Sequence, residues 1–468
     1  MDTLEKTSGT NKVESINHES GSDNVDEKTG TAEDRADMFR MGKVQELRYH
    51  WISEFSPRKY QKFLSYLMGW LCVLGWQGGC ASSSFVAGTM IQGLIALNHP
   101  DTYIPEGWHG TLLTIAVAAF SVFFNTFLAR HLPVIESGLL AIHFLAFIGI
   151  LVTLWTMSPI SDASVFTQFN DGGGWNSFGV STLVGITSGT LPLLGADAAA
   201  HMSEELQKAS KTIPRSMILT TAVNGLLGWI MVITFAFCIG PSVEDIVASP
   251  TGYPFMAVFY NSTKSTVSAT IMSFFILIML VSSNLSIVAT ASRQLFAFAR
   301  DEGLPFSPWF ARVSGNNLPM NSIVVTFVTS ALLALINIGS ATALNSITSL
   351  STNALLSSYM CSIGCMIWRR WTGAPLLPSH FNLGRWGLTV NIASEIFLVV
   401  SFIFAFFPIA PNPSVDIMNW NILIYSVVII GSVLYYYLKG RHRYVGPVEY
   451  VRKLDWGNGS ENVHLESE

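Results

Sequence analysis

After Lys62 the chain becomes a succession of long intervals without any Asp, Glu, Lys or Arg: 63–100, 107–129, 137–161, 172–196, 216–243, 265–292, 313–368 and 417–438. A further interval, 386–415, is interrupted only by Glu395. A helix needs about 20 apolar residues to cross a bilayer. Each interval therefore predicts a span, and 313–368 is long enough for two, with a turn near Asn337, Ile338, Gly339 and Ser340. That makes ten. Only 12% of the residues are charged, against about 25% in a soluble domain, so the fold class predicted is an all-α polytopic membrane protein.

Lys and Arg in short loops mark the cytoplasmic side. With residues 1–48 placed inside and ten crossings, every basic residue of the 26 falls inside except Lys264. This fixes an expected organisation: a disordered cytoplasmic tail over 1–48, a transmembrane domain over 49–438 and a cytoplasmic C-terminal tail over 439–468. The first tail mixes acidic and basic residues and has no apolar run, the composition of a chain that does not collapse. Asn261, Ser262 and Thr263 form a glycosylation sequon in a loop predicted to lie outside.

One span does not look like an ordinary helix. In 183–217 an uncharged run is interrupted by Gly189, Pro192 and Gly195, and Asp197 follows at about membrane depth. Irregular backbone survives at that depth only where protein or water satisfies it. A lone proline can be a mere kink. Here two glycines bracket it, and the hydroxyls of Ser188 and Thr190 stand beside it. The stretch Ser188, Gly189, Thr190, Leu191, Pro192 and Gly195 is the candidate solute-binding segment, because unwound backbone at a half-helix end suits a carboxylate or an ammonium group. Asp197 has two expected roles that are compatible: proton or cation coupling, as for intramembrane carboxylates generally, or capping of the second half-helix. His201, four residues on, lies on the same helical face and can share the proton.

Other positions carry weaker signals. His143, inside the third span, is either a packing histidine or a proton relay. Glu395 is expected to be structural, snorkelling towards the cytoplasmic surface. The mid-span amides Gln77, Asn125, Asn224, Asn284 and Asn353 are expected to link helices. Trp76 and Gln77, followed by Gly78, Gly79 and three serines, combine close-packing positions with an aromatic ring. Glu204, Glu205, Lys208, Lys211 and Arg215 make either a solvated face or a cytoplasmic gate. All five cysteines lie in apolar runs without a CxxC pair, so neither a disulfide nor a metal site is expected. No phosphate-cradling loop or catalytic constellation is present, which argues against an enzyme, a bound cofactor or a nucleic-acid partner.

Several separated blocks, GADAAAHMSEELQKASKTIPRSM, ATASRQLFAFARDEGLPFSPWFARV, PLLPSHFNLGRWG and VLYYYLKGRHRYVGPVEYV, closely resemble the fungal amino acid/choline/GABA permeases of the amino acid–polyamine–organocation (APC) superfamily. The likeness covers roughly 49–453. It implies two inverted five-helix repeats plus two further helices, with an amino acid or amine held between broken helices one and six and moved by alternating access, typically with protons. On this resemblance 172–200 is the sixth helix and Thr190 to Gly195 its unwound segment. Trp76 and Gln77 lie on the long third helix facing the site, and His143 falls near a coupling position on the fifth. The resemblance leaves either the plasma membrane or the vacuolar membrane as the location. It also exposes a departure: the family has twelve spans, and helices one and two are missing between Arg48 and Tyr49. A transport-inactive paralogue or a sensor-like membrane protein is the alternative that this gap raises.

Overall fold

The computed structural model describes residues 52–446 apart from 54, 129–130, 168, 170, 199–208, 241–242, 315–317, 340–342 and 375–381. The tail predicted over 1–48, the junction at Arg48 and Tyr49, and residues 447–468 lie outside the described residues.

The described chain is helical: α1 Gln61–Asn98, α2 Gly107–Phe127, α3 Leu132–Met157, α4 Phe178–Thr190, α5 Ala209–Cys238, α6 Pro254–Thr263, α7 Thr266–Arg300, α8 Met320–Ala334, α9 Ala343–Trp371, α10 Gly387–Phe404 and α11 Asn421–Tyr435. Among the described residues nine helical stretches are long and apolar enough to cross a membrane; the tenth expected span is the shorter apolar stretch Phe178–Leu193. Within 313–368 the expected turn is found: α8 stops before Leu335, a short helical turn follows at Ile336–Gly339, and α9 begins at Ala343. α6, by contrast, is a short helix inside a segment expected to be loop. It carries the sequon in its last turn, where the Thr263 hydroxyl donates to the Phe259 carbonyl at 2.9 Å.

α1 is the centre. Its 38 residues span about 57 Å at 1.5 Å per residue, more than the roughly 30 Å of hydrocarbon. Buried residues occur all round it, from Ser65 and Tyr66 to Gly93 and Ala96, because α2, α7, α8 and α9 pack on different sides. Small residues let these helices approach. A Cβ on Gly88 would lie 2.5 Å from the backbone nitrogen of Thr114 in α2, and one on Gly75 would lie 2.7 Å from the Leu355 side chain in α9. On α3, by contrast, a Cβ at Gly149 would meet nothing within 4 Å. Gly88→Ala is accordingly expected to force α1 and α2 apart and destabilise the fold by about 1–3 kcal/mol, as overpacking does. Gly149→Ala should be neutral or stabilising by up to about 1 kcal/mol; melting of the two purified variants side by side checks the contrast.

Of the amides expected to link helices, Gln77, Asn125 and Asn284 do so, while the buried side-chain amide of Asn353 has no hydrogen-bond partner among the described residues. Asn125 of α2 donates to the Leu285 carbonyl of α7 at 2.9 Å, and Asn284 donates to Ser121 at 2.8 Å while accepting from Ser84 at 3.2 Å. Asn224 is exposed on α5. None of the five cysteines is in a disulfide.

The C-terminal end folds back. After α11 the chain passes through a π-helical turn, Tyr436–Gly440, and inserts Tyr444, wholly buried, between Tyr66 of α1 and Phe298 of α7, with ring centroids 5.3 and 5.9 Å away. Its hydroxyl donates to Ser65 at 3.2 Å, and the Val445 amide donates to the Asp301 carbonyl at 3.3 Å. Burial holds the Tyr444 phenol well above its ordinary pKa, so it stays a neutral donor.

Candidate functional site

The interruption expected near Pro192 is present. α4 starts at the N-cap Ser177, whose hydroxyl accepts from the Val180 amide. It runs to Thr190 and tightens into a 3-10 turn over Leu191–Leu193, and the chain then becomes extended at Leu194, with φ −73° and ψ 153°. Gly195 has φ +86°, a conformation in which an L-residue with a Cβ is strained. The Ala198 amide closes a turn on the Gly195 carbonyl at 2.8 Å. Proline cannot donate at Pro192, and glycine permits the reversal at Gly195; between them the helix is unable to continue.

This break places Asp197 in the interior. The residue is 0% exposed, and its Oδ1 accepts a hydrogen bond of 2.7 Å from the Tyr359 hydroxyl of α9. The same hydroxyl accepts from the Gly195 amide at 3.4 Å. One tyrosine thus holds both the broken backbone and the carboxyl. Trp76 of α1 forms the floor: it is buried with Cys80, Val288, Ala291 and Leu355, Ala198 packs against this group, and a Cβ on Gly195 would sit 3.8 Å from the indole.

The remaining candidates divide. Thr190 is buried and donates to the Ile186 carbonyl at 2.9 Å, whereas Ser188, Gly189, Leu191 and Pro192 are exposed on the outer side of the break. Gln77 neighbours Trp76 in sequence but turns away from the break. Its amide nitrogen donates to Thr326 of α8 at 2.9 Å and lies 3.4 Å from the Ala291 carbonyl, and its Oε1 is buried without a partner among the described residues. His143 is exposed on α3, its ring beside Phe144. Arg215 is exposed on α5; His201, Glu204, Glu205 and Lys208 lie outside the described residues. Sequence reasoning missed Tyr359. The one available signal was an aromatic hydroxyl within the Ser- and Asn-rich run of α9, SITSLSTNALLSSYMCS. Among the described residues no group of three or more His, Cys, Asp or Glu is placed to hold a metal.

A helix broken inside an α-helical bundle, with a buried carboxyl and an aromatic ring at the break, is an arrangement that membrane solute carriers use. Residues 48–433 match the family described as Amino acid permease, and the chain belongs to that family. It is an integral, multi-pass transporter and not an enzyme. A protein of Macrophomina phaseolina described as an amino acid/polyamine transporter is 30% identical over 382 residues, 80% of this chain and 83% of the relative. The choline transporter of Saccharomyces cerevisiae is 28% identical over 405 residues, 85% and 70% respectively, and amino-acid permease 2 of Neurospora crassa is 26% identical over 410, 86% and 74%.

Proposed function

We propose that the chain carries an amino acid or amine, of the class of GABA, choline or a polyamine, across the plasma or vacuolar membrane by alternating access. Substrate is held at the break from Ser188 to Gly195, against Trp76, and the movement is coupled to protons at Asp197. The observation that carries this reading is the buried Asp197 carboxyl at the turn where α4 ends, hydrogen-bonded to Tyr359 of another helix. A carboxyl so placed is costly unless it serves a purpose, and its link to α9 lets protonation alter how the two helices hold each other. His201, four residues on in the sequence, shares the proton, and His143 is a secondary candidate on α3. Glu204, Glu205, Lys208 and Arg215 form the cytoplasmic gate. Both termini face the cytoplasm, as the confinement of basic residues to one set of loops supports.

Pro192→Ala separates a site from a scaffold. It restores a backbone N–H and lets helical conformation spread into the break. The expected result is a change in substrate affinity of about tenfold or more with near-normal abundance in the membrane, checked by radiolabelled uptake against a panel of amino acids, choline and polyamines. A fall in abundance alone, with affinity unchanged, would assign the break to folding.

A second reading, a transport-inactive or sensor-like protein, is favoured by the departure noted between Arg48 and Tyr49, where the family's first two helices are missing.

A further inference from the structure

A second carboxyl enters the membrane domain, on a helix that the site above does not use. Glu395 lies midway along α10, Gly387–Phe404, deeper than the snorkelling position expected from sequence. A Cβ on Gly364 of α9 would stand 3.9 Å from its Oε1, and its Oε2 is buried without a hydrogen-bond partner among the described residues. On α9, Cys361 and Cys365 are one turn apart, and both lie within electrostatic range of Glu395.

The elements packed against α10 are α9, α4 and the turn Gly384–Trp386. Their titratable and charged groups supply no cation to Glu395. α4, FGVSTLVGITSGT, has none. Tyr359 of α9 is engaged with Asp197. Arg370, at the end of α9, packs over Gly387, two turns away from Glu395 along α10, and Arg369 lies over the Phe55 ring at 5.7 Å. Arg385 of the turn lies over Trp386 at 5.7 Å. An ionised carboxylate midway along a membrane helix, given no cation by the described residues of the elements packed against it and with one buried oxygen unbonded among the described residues, is far less favourable than the neutral acid.

We infer that Glu395 is a second proton-binding site of the membrane domain, separate from Asp197, and that the Glu395 carboxyl is held in its neutral acid form beside Gly364 of α9. α9 links the two sites. Tyr359 reaches Asp197 from one side of that helix, and Gly364, five positions on, lies beside Glu395 on another.

A membrane-soluble carbodiimide tests this without reference to transport. A neutral carboxylic acid passes its proton to one nitrogen of the N=C=N group while its oxygen bonds to the central carbon. The O-acylisourea so formed rearranges by oxygen-to-nitrogen acyl migration into a stable N-acylurea, with nothing oxidised and nothing released. The full-length chain in lipid vesicles is treated with N,N′-dicyclohexylcarbodiimide across a pH series, and the peptide carrying Glu395 is analysed by mass spectrometry. The expected result is an adduct on Glu395 at neutral pH whose yield falls, above the titration midpoint, roughly tenfold per pH unit. A water-soluble carbodiimide should not form it. Glu395→Asp should keep the adduct, Glu395→Gln should lose it, and Asp197→Asn should leave it unchanged. No adduct at neutral pH, equal labelling by the water-soluble reagent, or loss of the adduct in Asp197→Asn would each overturn the assignment.

Discussion

Asn in place of Asp197 is expected to reduce proton-driven accumulation of substrate to background while leaving substrate exchange partly intact. The substitution conserves volume, and the Asn carbonyl can still accept from the Tyr359 hydroxyl that now bonds Asp197 at 2.7 Å; only ionisation is lost. Tyr359→Phe complements it. Removing a hydrogen bond to a charged group costs about 1.5–3 kcal/mol, or roughly tenfold to a hundredfold in any equilibrium that depends on the charged state. Uptake measured against pH in vesicles checks both variants. If the pH dependence of Asp197→Asn matches that of the unaltered chain, the carboxyl only caps the turn that leads into Ala198.

Two apolar helices placed between Arg48 and Tyr49 are expected to raise the rate of uptake above that of the chain without them. Such helices add at least about 40 residues. α3 and α5 bury little of their apolar surface, and a Cβ on Gly138, Gly149, Gly185, Gly189, Gly225 or Gly228 would meet nothing within 4 Å. On α1 glycines such as Gly75 and Gly88 meet neighbouring helices, whereas these on α3, α4 and α5 face open space, where added helices have room to pack. Sequencing the transcript across that junction, and comparing uptake by the two forms, decides the matter. Equal uptake by both forms would mean that the ten-span bundle is complete.

Much of this fold is legible in order along the chain, because hydrocarbon penalises charge and the uncharged intervals therefore trace the helices. The break was legible for a related reason: Pro192 and Gly195 act locally, whatever surrounds them. Contacts that depend on packing were not. Tyr359 and Asp197 are 162 residues apart in sequence, and no local pattern joins them. Gln77 was expected at the site beside Trp76, yet one residue rotates a side chain by about 100° around a helix, which carries Gln77 to Thr326. Glu395 stands midway along α10 because the interval 386–415 continues past the end of that helix at Phe404 into loop; charge alone does not mark where a helix stops.

The burial of Tyr444 gives the molecule an internal frame of reference. Locked to α1 through Tyr66 and Ser65 and to α7 through Phe298 and Asp301, the segment after α11 cannot shift relative to those two helices without breaking the lock. A spin label or fluorophore attached at the neighbouring exposed Arg443 therefore reports from a fixed point. Paired with a second label at the exposed Leu193, it turns any travel of the break during a transport cycle into a change in a single measured distance.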